Sequence, residues 1–378
     1  MKIKLHIISF DIPWPANYGG AIDVFYKVKF LAEAGATIQL HCPVYAGRQP
    51  SEELESYCQK VWYYKRPANW TSLNLQYPYM VYSRRNKQLL ENLLQDDWPI
   101  FFDGTNASYY LSHPLLKDRI KVFRPHNVEH EYFKLMAQRE LHAFKRLYYG
   151  IESTLLRQYE KKLGAAKAFF PIAAHDYQYY REKFPQAYHE WIPAFHPFYE
   201  VKSACGTGDY AIYHGNLAHA ENIEAALFLL ENVIPGLPCN FVIAGRNPDA
   251  KIIRAAKGLA NCTVIANPDP AHMDRLIHEA QIQVLPTFQN TGLKLKLLHA
   301  LFNGRHVLVN PPMLDGTELD KVCMVAANAA SFRKKIEEWM YIPFSIEEKK
   351  RRADHLAIHY DNGKNAQKII SFFQHLLL

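Results

Sequence analysis

The segment from Leu285 to Val309 has the sequence Leu-Pro-Thr-Phe-Gln-Asn-Thr-Gly-Leu-Lys-Leu-Lys-Leu-Leu-His-Ala-Leu-Phe-Asn-Gly-Arg-His-Val-Leu-Val. A short apolar strand ends at Pro286, a glycine loop follows, and apolar residues at helical spacing predict a helix over Leu293–Phe302. Gly304 is typical of a helix C-terminus, and a second apolar strand is predicted over His306–Val309. A strand, a helix and a strand in this order form one unit of a parallel α/β sheet.

Two lysines, Lys294 and Lys296, lie in the first turn of this predicted helix. A helix N-terminus carries a partial positive charge, so a lysine there is mildly unfavourable. Two of them beside a glycine loop indicate that an anionic ligand binds at this position. The alternative is a pair of exposed lysines on an ordinary amphipathic helix.

The same alternation of strands and helices extends over the whole chain. Further strands are predicted at Lys2–Phe10, Thr37–Cys42, Val61–Lys65, Ile100–Phe102, Ile120–Phe123, Ala168–Ile172, Asp209–His214, Asn240–Ala244, Thr263–Ala266 and Ile282–Leu285. Further helices are predicted at Ala21–Ala34, Lys87–Leu94, Ala143–Leu163, His175–Phe184, Glu221–Val233, Ala250–Lys257, Ala271–Glu279, Ser331–Met340, Ile346–His359 and Asn365–Leu376. This pattern predicts an α/β protein with two doubly wound halves.

Residues 193–208 contain two prolines and two glycines and are predicted to link the two halves. We therefore expect an N-terminal domain over residues 1–200 and a C-terminal domain over residues 201–360. A final helix at residues 361–378 is expected to pack back toward the N-terminal domain. Because ligands bind at the carboxyl ends of the strands in doubly wound sheets, we expect the site in the cleft between the two domains.

The loop after the first predicted strand, Asp11-Ile-Pro-Trp-Pro-Ala-Asn-Tyr-Gly-Gly20, leads directly into a helix. Gly19 and Gly20 allow a ligand to approach the backbone closely, and the helix N-terminus favours an anion. The loop is therefore a candidate site for a phosphate or a sugar. A plain tight turn is the alternative, since the motif is neither a P-loop nor the dinucleotide-binding glycine pattern.

The segment Arg124-Pro-His-Asn-Val-Glu-His130 follows another predicted strand. His126 at the carboxyl end of a strand is favoured as a substrate-binding histidine. The segment also matches His-x-x-Glu-His, the inverted zinc-protease pattern, but that site needs a helix that carries both histidines. Pro125 argues against such a helix. A helix-capping or solvated loop is the third interpretation.

The composition and net charge of the chain exclude several classes of protein. Of the 378 residues, 49% are hydrophobic and 21% are charged, which excludes a disordered protein, a collagen and a coiled-coil rod. No apolar run reaches the length of about 18 residues that spans a bilayer, and Asp11 and Pro13 interrupt the N-terminal apolar stretch too early for a signal peptide. We therefore expect a cytoplasmic protein. The net charge of +7 suits an anionic small ligand or surface but not a nucleic-acid binder.

The basic and aromatic segment Tyr77-Pro-Tyr-Met-Val-Tyr-Ser-Arg-Arg-Asn-Lys87 has two interpretations. It could contact an anionic membrane at its inner face as a peripheral surface. The favoured interpretation is a core-facing aromatic strand followed by a solvated helix start.

The 285–309 segment resembles the donor-binding motif of the group 1 (family 4-like) glycosyltransferases, whose usual form is Gly-x-Lys-x-Lys-x-Leu-Glu-Ala-x-x-x-Gly-x-Pro-Val. The Gly-Asn-Leu turn after residue 214, Val242–Pro248, the Pro-Trp-Pro loop with its two glycines and the His-Asn-Val-Glu segment resemble further family motifs, in the family's order. The resemblance implies the GT-B fold, with two Rossmann-like parallel-sheet domains that face an interdomain cleft. It implies transfer of a sugar from a nucleotide-sugar donor to a carbohydrate or lipid-linked acceptor, with retention of configuration and without a metal or cofactor. Surface polysaccharide or glycolipid assembly is the implied pathway.

The resemblance also implies roles for particular residues. His126 is the expected catalytic residue, with Asn127 and Glu129 on the acceptor side. The expected donor-binding residues are Gly19, Gly20, Asn216, Arg246, Thr291, Gly292, Leu293, Lys294, Lys296 and His299. Without a metal, the lysines and the arginine of this set are the cations available to stabilise the negative charge on the leaving diphosphate.

The sequence departs from the family pattern in the donor motif. His299 stands where the family has the glutamate that binds the ribose, and Thr291 stands where many members have another acid. A carboxylate accepts hydrogen bonds from two ribose hydroxyls, whereas an imidazole accepts at most one. Glu318 is a candidate substitute carboxylate. A nucleotide-sugar-binding protein that has lost transfer activity is therefore an alternative function, and a nucleotide-sugar epimerase on the same scaffold is another.

Overall fold

The structure, a computed structural model, describes residues 3–45, 47–67, 74–289 and 294–377. The chain divides into two compact units. The first consists of Met1–Pro197 together with Tyr360–Leu378, and the second consists of Phe198–His359.

The first unit is built on a parallel sheet. Its strands are β1 (Lys4–Ile8), β2 (Thr37–Val44), β3 (Lys60–Lys65), β4 (Ile100–Asp103), β5 (Lys121–Arg124), β6 (Ala168–Phe169) and β7 (Tyr188–His189). Their order in the sheet is β3-β2-β1-β4-β5-β6-β7, and neighbouring strands are parallel. The chain order reverses between β1 and β4, and such a switch point opens a crevice at the carboxyl ends of the two strands.

The helices of the first unit include one from the C-terminus of the chain. They are α1 (Gly19–Glu33), α2 (Glu52–Glu55), α3 (Tyr79–Tyr82), α4 (Lys87–Leu93), α5 (Glu129–Arg139), α6 (Ala143–Tyr159), α7 (Ala174–Lys183) and α15 (Asn362–Leu377). Ile369 and Phe373 of α15 are buried in the same apolar core as Val24 and Val28 of α1. Helix α15 thus completes the core of the first unit.

The second unit repeats this plan. Its strands are β8 (Tyr210–Asn216), β9 (Asn240–Arg246), β10 (Cys262–Ala266), β11 (Ile282–Leu285), β12 (His306–Val309) and β13 (Met324–Val325), in the sheet order β10-β9-β8-β11-β12-β13. Its helices are α8 (Ala220–Phe228), α9 (Ala250–Ala256), α10 (Pro270–Glu279), α11 (Leu295–Asn303), α12 (Pro311–Leu314), α13 (Ala329–Trp339) and α14 (Ile346–His359). The chain order reverses here between β8 and β11, which places the second switch point next to α11.

The apolar runs form strands because helices cover both faces of each sheet. All residues of β4, β5, β11 and β12 are buried, as expected for strands inside a parallel sheet. The predicted strand Ala168–Ile172 is shorter in the structure and ends at Phe169. Pro171 follows closely and has no amide N–H to donate to a strand ladder.

Several helices differ from the sequence-based expectation. The short helices α2, α3 and α12 were not predicted, and α8 ends at Phe228 and continues as a π helix to Val233. Helix α6 ends at Tyr159 and continues as a 3₁₀ helix over Glu160–Ala165, so the prediction of one helix to Leu163 was wrong in its last turn. Helix α5 was not predicted, because none of its residues is buried and its sequence has no core-facing stripe. Within the described part of the chain, no helix combines the length and the apolar character that a membrane span requires.

Candidate active site

The first candidate site lies at the switch point of the first sheet, where β1, β4 and β5 end. Asp103 is the last residue of β4 and Arg124 is the last residue of β5, and the two are partners in the parallel register. Gly19 and Gly20 begin α1 beside them, and His126 follows β5 by two residues. The loops after β1, β4 and β5 thus bring the predicted His126 to the crevice of this sheet.

Four charged side chains are fully buried beneath His126: Asp23, Lys27, Asp103 and Arg124. Arg124 forms a bidentate pair with Asp23, in which Nη2 lies 2.7 Å from Oδ1 and Nε lies 2.9 Å from Oδ2. Its Nη1 donates to the carbonyl of Ile192 at 2.9 Å, and its Nη2 to that of Pro193 at 3.0 Å.

Lys27 links the two carboxylates of this cluster. It lies one helical turn after Asp23, with Nζ 3.4 Å from Asp23 Oδ2, and it also donates to Asp103. Burial alone would raise the pKa of Asp23, but Arg124 and Lys27 hold that pKa well below its ordinary value. Burial would likewise raise the pKa of Asp103, and Lys27 and His126 lower it. Both carboxylates are therefore ionised, and the two cations balance them.

Asp103 orients the imidazole of His126. His126 Nε2 lies 2.8 Å from Asp103 Oδ1, and because an ionised carboxylate only accepts, Nε2 carries the proton. In the neutral form of the imidazole, Nδ1 is then left as a hydrogen-bond acceptor. The ring of Phe10 meets the His126 ring edge-on at 5.5 Å and restricts its position. An imidazole held in one tautomer by a buried carboxylate is suited to accept a proton from a substrate hydroxyl.

The same cluster contains three groups that could act as metal ligands. Asp23, Asp103 and His126 each offer one ligand atom, and these atoms lie within 4.8 Å of one another. However, Lys27 contacts both carboxylates and Arg124 occupies both oxygens of Asp23. A divalent cation would have to displace a buried ammonium and leave it unpaired, so these residues do not fit a metal.

The predicted acceptor-side residues Asn127 and Glu129 lie at the start of α5. The backbone carbonyl of Asn127 accepts a hydrogen bond of 3.2 Å from the Tyr180 hydroxyl. Burial raises the pKa of Glu129 to about 7, although the Asn127 side chain opposes the shift. Helix α5 begins at Glu129, so His126 lies before the helix and the inverted zinc-protease geometry is not formed.

Gly20 is required by packing in the loop that follows β1. A Cβ atom built at Gly20 would lie 2.6 Å from Cζ of Phe10, so a larger residue would displace the ring that contacts His126. Helix α1 has no side-chain cap at Tyr18 and no acidic residue in its first turn. Its N-terminal amides are therefore left for another acceptor, as expected for an anion or hydroxyl site.

A cavity of about 890 Å³ lies next to this loop, at the carboxyl ends of β1 and β2. Its wall includes Asp11 and Arg48, whose Oδ2 and Nε atoms are 3.4 Å apart, and the guanidinium of Arg48 lies 4.7 Å from the centre of the Tyr18 ring. Arg84 also lines it. Arginine, carboxylate and aromatic groups together can bind a polar, ring-shaped ligand. The sequence offered no signal for this cavity, since its wall comes from four separate segments.

The second candidate site lies at the switch point of the second sheet, where α11 begins. Lys294 is the N-cap position of α11 and Lys296 lies in its first turn. Lys296 Nζ donates to Asn222 Oδ1 at 2.8 Å and to the Tyr213 hydroxyl at 3.4 Å. Among the residues that the structure describes, no carboxylate lies within ion-pair distance of Lys296.

Both lysines are poorly solvated cations. Burial lowers the pKa of Lys294 to about 8, against the attraction of Asp315. Burial lowers the pKa of Lys296 to about 8 as well, with a further contribution from Lys294. The charged form of such a lysine is stabilised when an anion binds, because the anion replaces the solvation that the ammonium has lost.

His299, which aligns with the glutamate of the donor motif that the sequence resembles, is paired with an acid. Its Nε2 lies 2.9 Å from Asp274 Oδ1 of α10, and its ring stacks on Phe198 at 5.2 Å. The carboxylate beside His299 is therefore that of Asp274, and not that of Glu318, which was considered from the sequence as a substitute. Glu318 is directed elsewhere, with Oε2 at 3.4 Å from His359 Nε2.

His214 is a further candidate that sequence reasoning missed. It lies near the end of β8, and its ring meets that of His299 at 5.9 Å. Burial, with His299 and Lys296 nearby, lowers its pKa well below the ordinary value, so the ring is neutral. Within the described residues, its buried Nε2 has no hydrogen-bond partner. The only sequence signal was a histidine inside an apolar strand.

The remaining donor-site candidates divide into two groups. Asn216 and Arg246 end β8 and β9 and face each other in the parallel register, at the same edge of the sheet as α11. The Asn216 side chain accepts from the amide of Ala218, and Arg246 is exposed. The predicted residues Thr291, Gly292 and Leu293 lie outside the described residues.

Known proteins resemble the chain mainly in structure. No protein-family model matches the sequence. An uncharacterised 44.6 kDa protein in the cps region of Klebsiella pneumoniae is 22% identical over 343 residues, which cover 83% of this chain and 84% of that protein. Among solved structures, sucrose-phosphate synthase from Thermosynechococcus elongatus has a TM-score of 0.66 at 12% identity, with 100% of this chain and 99% of that chain covered.

Two other solved structures extend the comparison. WaaG, a glycosyltransferase involved in lipopolysaccharide biosynthesis, has a TM-score of 0.60 at 12% identity, with 97% and 98% of the two chains covered. Arabidopsis thaliana UGT89C1, solved with UDP-L-rhamnose, has a TM-score of 0.58 at 13% identity, with 98% and 99% covered. The chain has the GT-B fold. The prediction of that fold is confirmed, and the family 4-like subgroup stays a prediction.

Proposed function

We propose that this protein is a glycosyltransferase that moves a sugar from a nucleotide-sugar donor to an acceptor. The observation that carries the proposal is the partly buried ammonium of Lys296 at the switch point of the second sheet, which has no carboxylate partner among the described residues. His214 lies nearby, and within the same residues its Nε2 has no hydrogen-bond partner. A cation and a neutral donor or acceptor at the start of a helix suit a diphosphate and the ribose or sugar attached to it. The similarity to sugar-transferring enzymes of the same fold supports this choice.

The chemistry would then divide between the two units. Breaking the bond from the sugar to the diphosphate leaves negative charge on the nucleotide, and Lys294 and Lys296 are the groups that would stabilise it. His126 would contact the transferred sugar or accept a proton from the acceptor, with Asp103 holding the ring in place. We propose that no metal takes part and that the configuration is retained. The cavity beside Arg48 is the proposed place for a carbohydrate or lipid-linked acceptor.

Replacing Lys296 by alanine is expected to weaken the binding of a nucleoside diphosphate by more than tenfold, which corresponds to about 1.4 kcal/mol. The ammonium is partly desolvated and would lose its interaction with the diphosphate. Calorimetric titration measures the affinity, and Lys334→Ala, an exposed lysine of α13, serves as the control. Equal affinities of Lys296→Ala and the parent protein would contradict the assignment.

The affinity for a nucleoside diphosphate is also expected to fall as the pH rises above about 8. Below the pKa of about 8 both lysines are already charged in the free protein, so the affinity stays constant. Above it, each neutral lysine must take up a proton before it can bind the anion, at a cost of about tenfold per lysine at pH 9. Titrations at pH 7 and pH 9 test this, with the nucleoside as the control for base ionisation. The same affinity at both pH values would show that neither lysine binds the ligand.

The pairing of His299 with Asp274 favours one alternative function. A ribose would meet an imidazole that accepts one hydrogen bond rather than a glutamate that accepts two. A GT-B protein that binds the nucleotide-sugar without transferring it would have these features.

Transfer of a labelled sugar distinguishes the two functions. UDP- and GDP-sugars are incubated, in the presence of EDTA, with the protein and with lipid and polysaccharide extracts of the source cells. Labelled product that requires both His126 and Lys296 supports the transferase. Binding of the donor without any product, including without epimerised donor, supports the binding protein instead.

A further inference from the structure

Helices α5 and α6 form a hairpin whose base is anchored in the first unit. Glu152 of α6 accepts hydrogen bonds from the backbone amides of Tyr79 at 3.0 Å and Met80 at 2.9 Å. Ser153 Oγ donates to the carbonyl of His130 at 2.7 Å and so ties α6 to α5. We use the name hairpin tip for residues 134–151, which lie beyond this anchor.

The hairpin tip exposes large apolar side chains. Leu141 is 96% exposed, Phe144 80% and Leu147 62%, and Ile151 is also exposed. The spacing of Phe144, Leu147 and Ile151 places them along one face of α6. A groove of about 630 Å³ between the two helices continues this apolar surface. Single exposed leucines are ordinary, but a contiguous apolar surface of this kind indicates an interaction site.

Basic side chains surround this apolar face. Lys134, Arg139, Lys145 and Arg146 are exposed, and Glu140 is the only acidic residue between positions 134 and 151. Two copies of the tip would therefore repel each other if they met face to face, so the tip is a poor self-association surface. Lysine is also depleted at protein–protein interfaces. An apolar face surrounded by Lys and Arg is complementary to a lipid bilayer, whose interior is apolar and whose headgroups can be anionic.

We propose that the hairpin tip docks the first unit onto a bilayer that contains anionic lipids. Leu141, Phe144 and Leu147 enter the boundary between headgroups and acyl chains, and Lys145 and Arg146 contact the headgroup phosphates. The segment Tyr77–Lys87, considered from the sequence, is not this surface. Its Tyr77 packs against Tyr82 and Tyr159, and Arg84 donates to backbone carbonyls of Phe10 and Met80.

The apolar part of the proposal is tested by flotation of the full-length protein with vesicles. Vesicles of phosphatidylethanolamine with about a third phosphatidylglycerol are compared with vesicles of phosphatidylcholine. Phe144→Ser is expected to lower the partition coefficient on anionic vesicles at least tenfold, because a buried aromatic ring returns to water. The matched control is Leu115→Ser, a 63% exposed leucine of the same unit outside the hairpin, which is expected to bind as the parent protein does.

The charge part is tested in the same assay. For the double variant Lys145→Gln/Arg146→Gln, the partition coefficient on anionic vesicles is expected to fall about fivefold per charge removed. On phosphatidylcholine vesicles the partition coefficient is expected to stay the same. The matched control is Lys334→Gln/Lys335→Gln on α13 of the second unit. Raising the salt concentration is expected to weaken binding of the parent protein and to narrow the difference from the charge variant.

Three outcomes would overturn the proposal. The first is no preference of the parent protein for anionic vesicles. The second is an equal loss in the tip variants and their controls. The third is that the parent protein does not bind vesicles and that the tip variants differ from it in solution mass, as measured by light scattering. That result would identify the tip as an interface between copies of this protein. None of these readouts depends on sugar transfer, so the proposal stands or falls separately from the proposed function.

Discussion

Replacing Arg124 by methionine should destabilise the first unit by about 3–5 kcal/mol. Arg124 is fully buried, holds both oxygens of Asp23 and donates to the carbonyls of Ile192 and Pro193. Methionine fills most of the volume, but the buried Asp23 loses both hydrogen bonds from the guanidinium and keeps only Lys27 and the Phe195 amide, and the carbonyls of Ile192 and Pro193 lose their donor. Urea unfolding followed by tryptophan fluorescence measures the loss, since Trp339 alone of the six tryptophans lies outside the first unit.

Two further variants show that the loss comes from the ion pair. Arg181→Met removes an exposed arginine of the same unit and is expected to change the free energy of unfolding by less than about 0.5 kcal/mol. The double variant Asp23→Asn/Arg124→Met removes both charges and is expected to cost less than the sum of the single variants. A loss below about 1 kcal/mol in Arg124→Met would mean that the cluster does not hold the site together.

Replacing His126 by alanine should lower kcat for sugar transfer by about 10²–10⁴-fold, the usual contribution of a positioned proton acceptor. The affinity for the donor nucleotide should stay the same, because Lys294 and Lys296, which are proposed to bind its diphosphate, lie in the second unit. A loss in kcat with an unchanged dissociation constant distinguishes a role in the transfer step from a role in folding.

The control for this prediction is His375→Ala, an exposed histidine of α15 in the same unit, which should transfer sugar at the rate of the parent protein. Asp103→Asn tests the positioning of the ring. It should lower kcat as well, because an amide can present its NH₂ group to His126 and stabilise the wrong tautomer. Full activity of His126→Ala would remove this histidine from the mechanism.

Of the thirteen strands in the described residues, eleven could be predicted from sequence because their signal is local, whereas the two-residue strands β7 and β13 were not predicted. Each buried strand is a short apolar run, and Gly or Pro residues mark the ends of most runs. Helix α5 gave no such signal, because it is defined by its contact with α6 rather than by a buried stripe. Gly304 was predicted as a helix-terminating glycine, but its φ of −90° is open to any residue. It is required because a Cβ there would lie 2.6 Å from Cγ of Gln283.

The candidate sites could be predicted only in part. His126, Lys294 and Lys296 were predicted because His126 closely follows a strand and the two lysines begin a helix, and the switch points lie where strands end. Asp23 and Asp103 were missed because α1, β4 and β5, which carry Asp23, Asp103 and Arg124, come together only in the folded unit. Such long-range contacts leave no pattern in a single sequence.

The partner of His299 was missed for the same reason. Asp274 lies on the preceding helix, 25 residues earlier, and nothing in its local sequence distinguishes it from an exposed acid. The only local hint was the histidine itself, at a position where the family has a glutamate. His299 and Asp274 are thus close in the structure although they are far apart in the chain.

The most direct test of the account is calorimetric titration of the purified protein with UDP, GDP, ADP and CMP in the presence of EDTA. The account expects one of these nucleotides to bind, and to bind more than tenfold more weakly to Lys296→Ala. The absence of binding to all four, or binding that is unaffected by loss of Lys296, would contradict a nucleotide-sugar site at the start of α11.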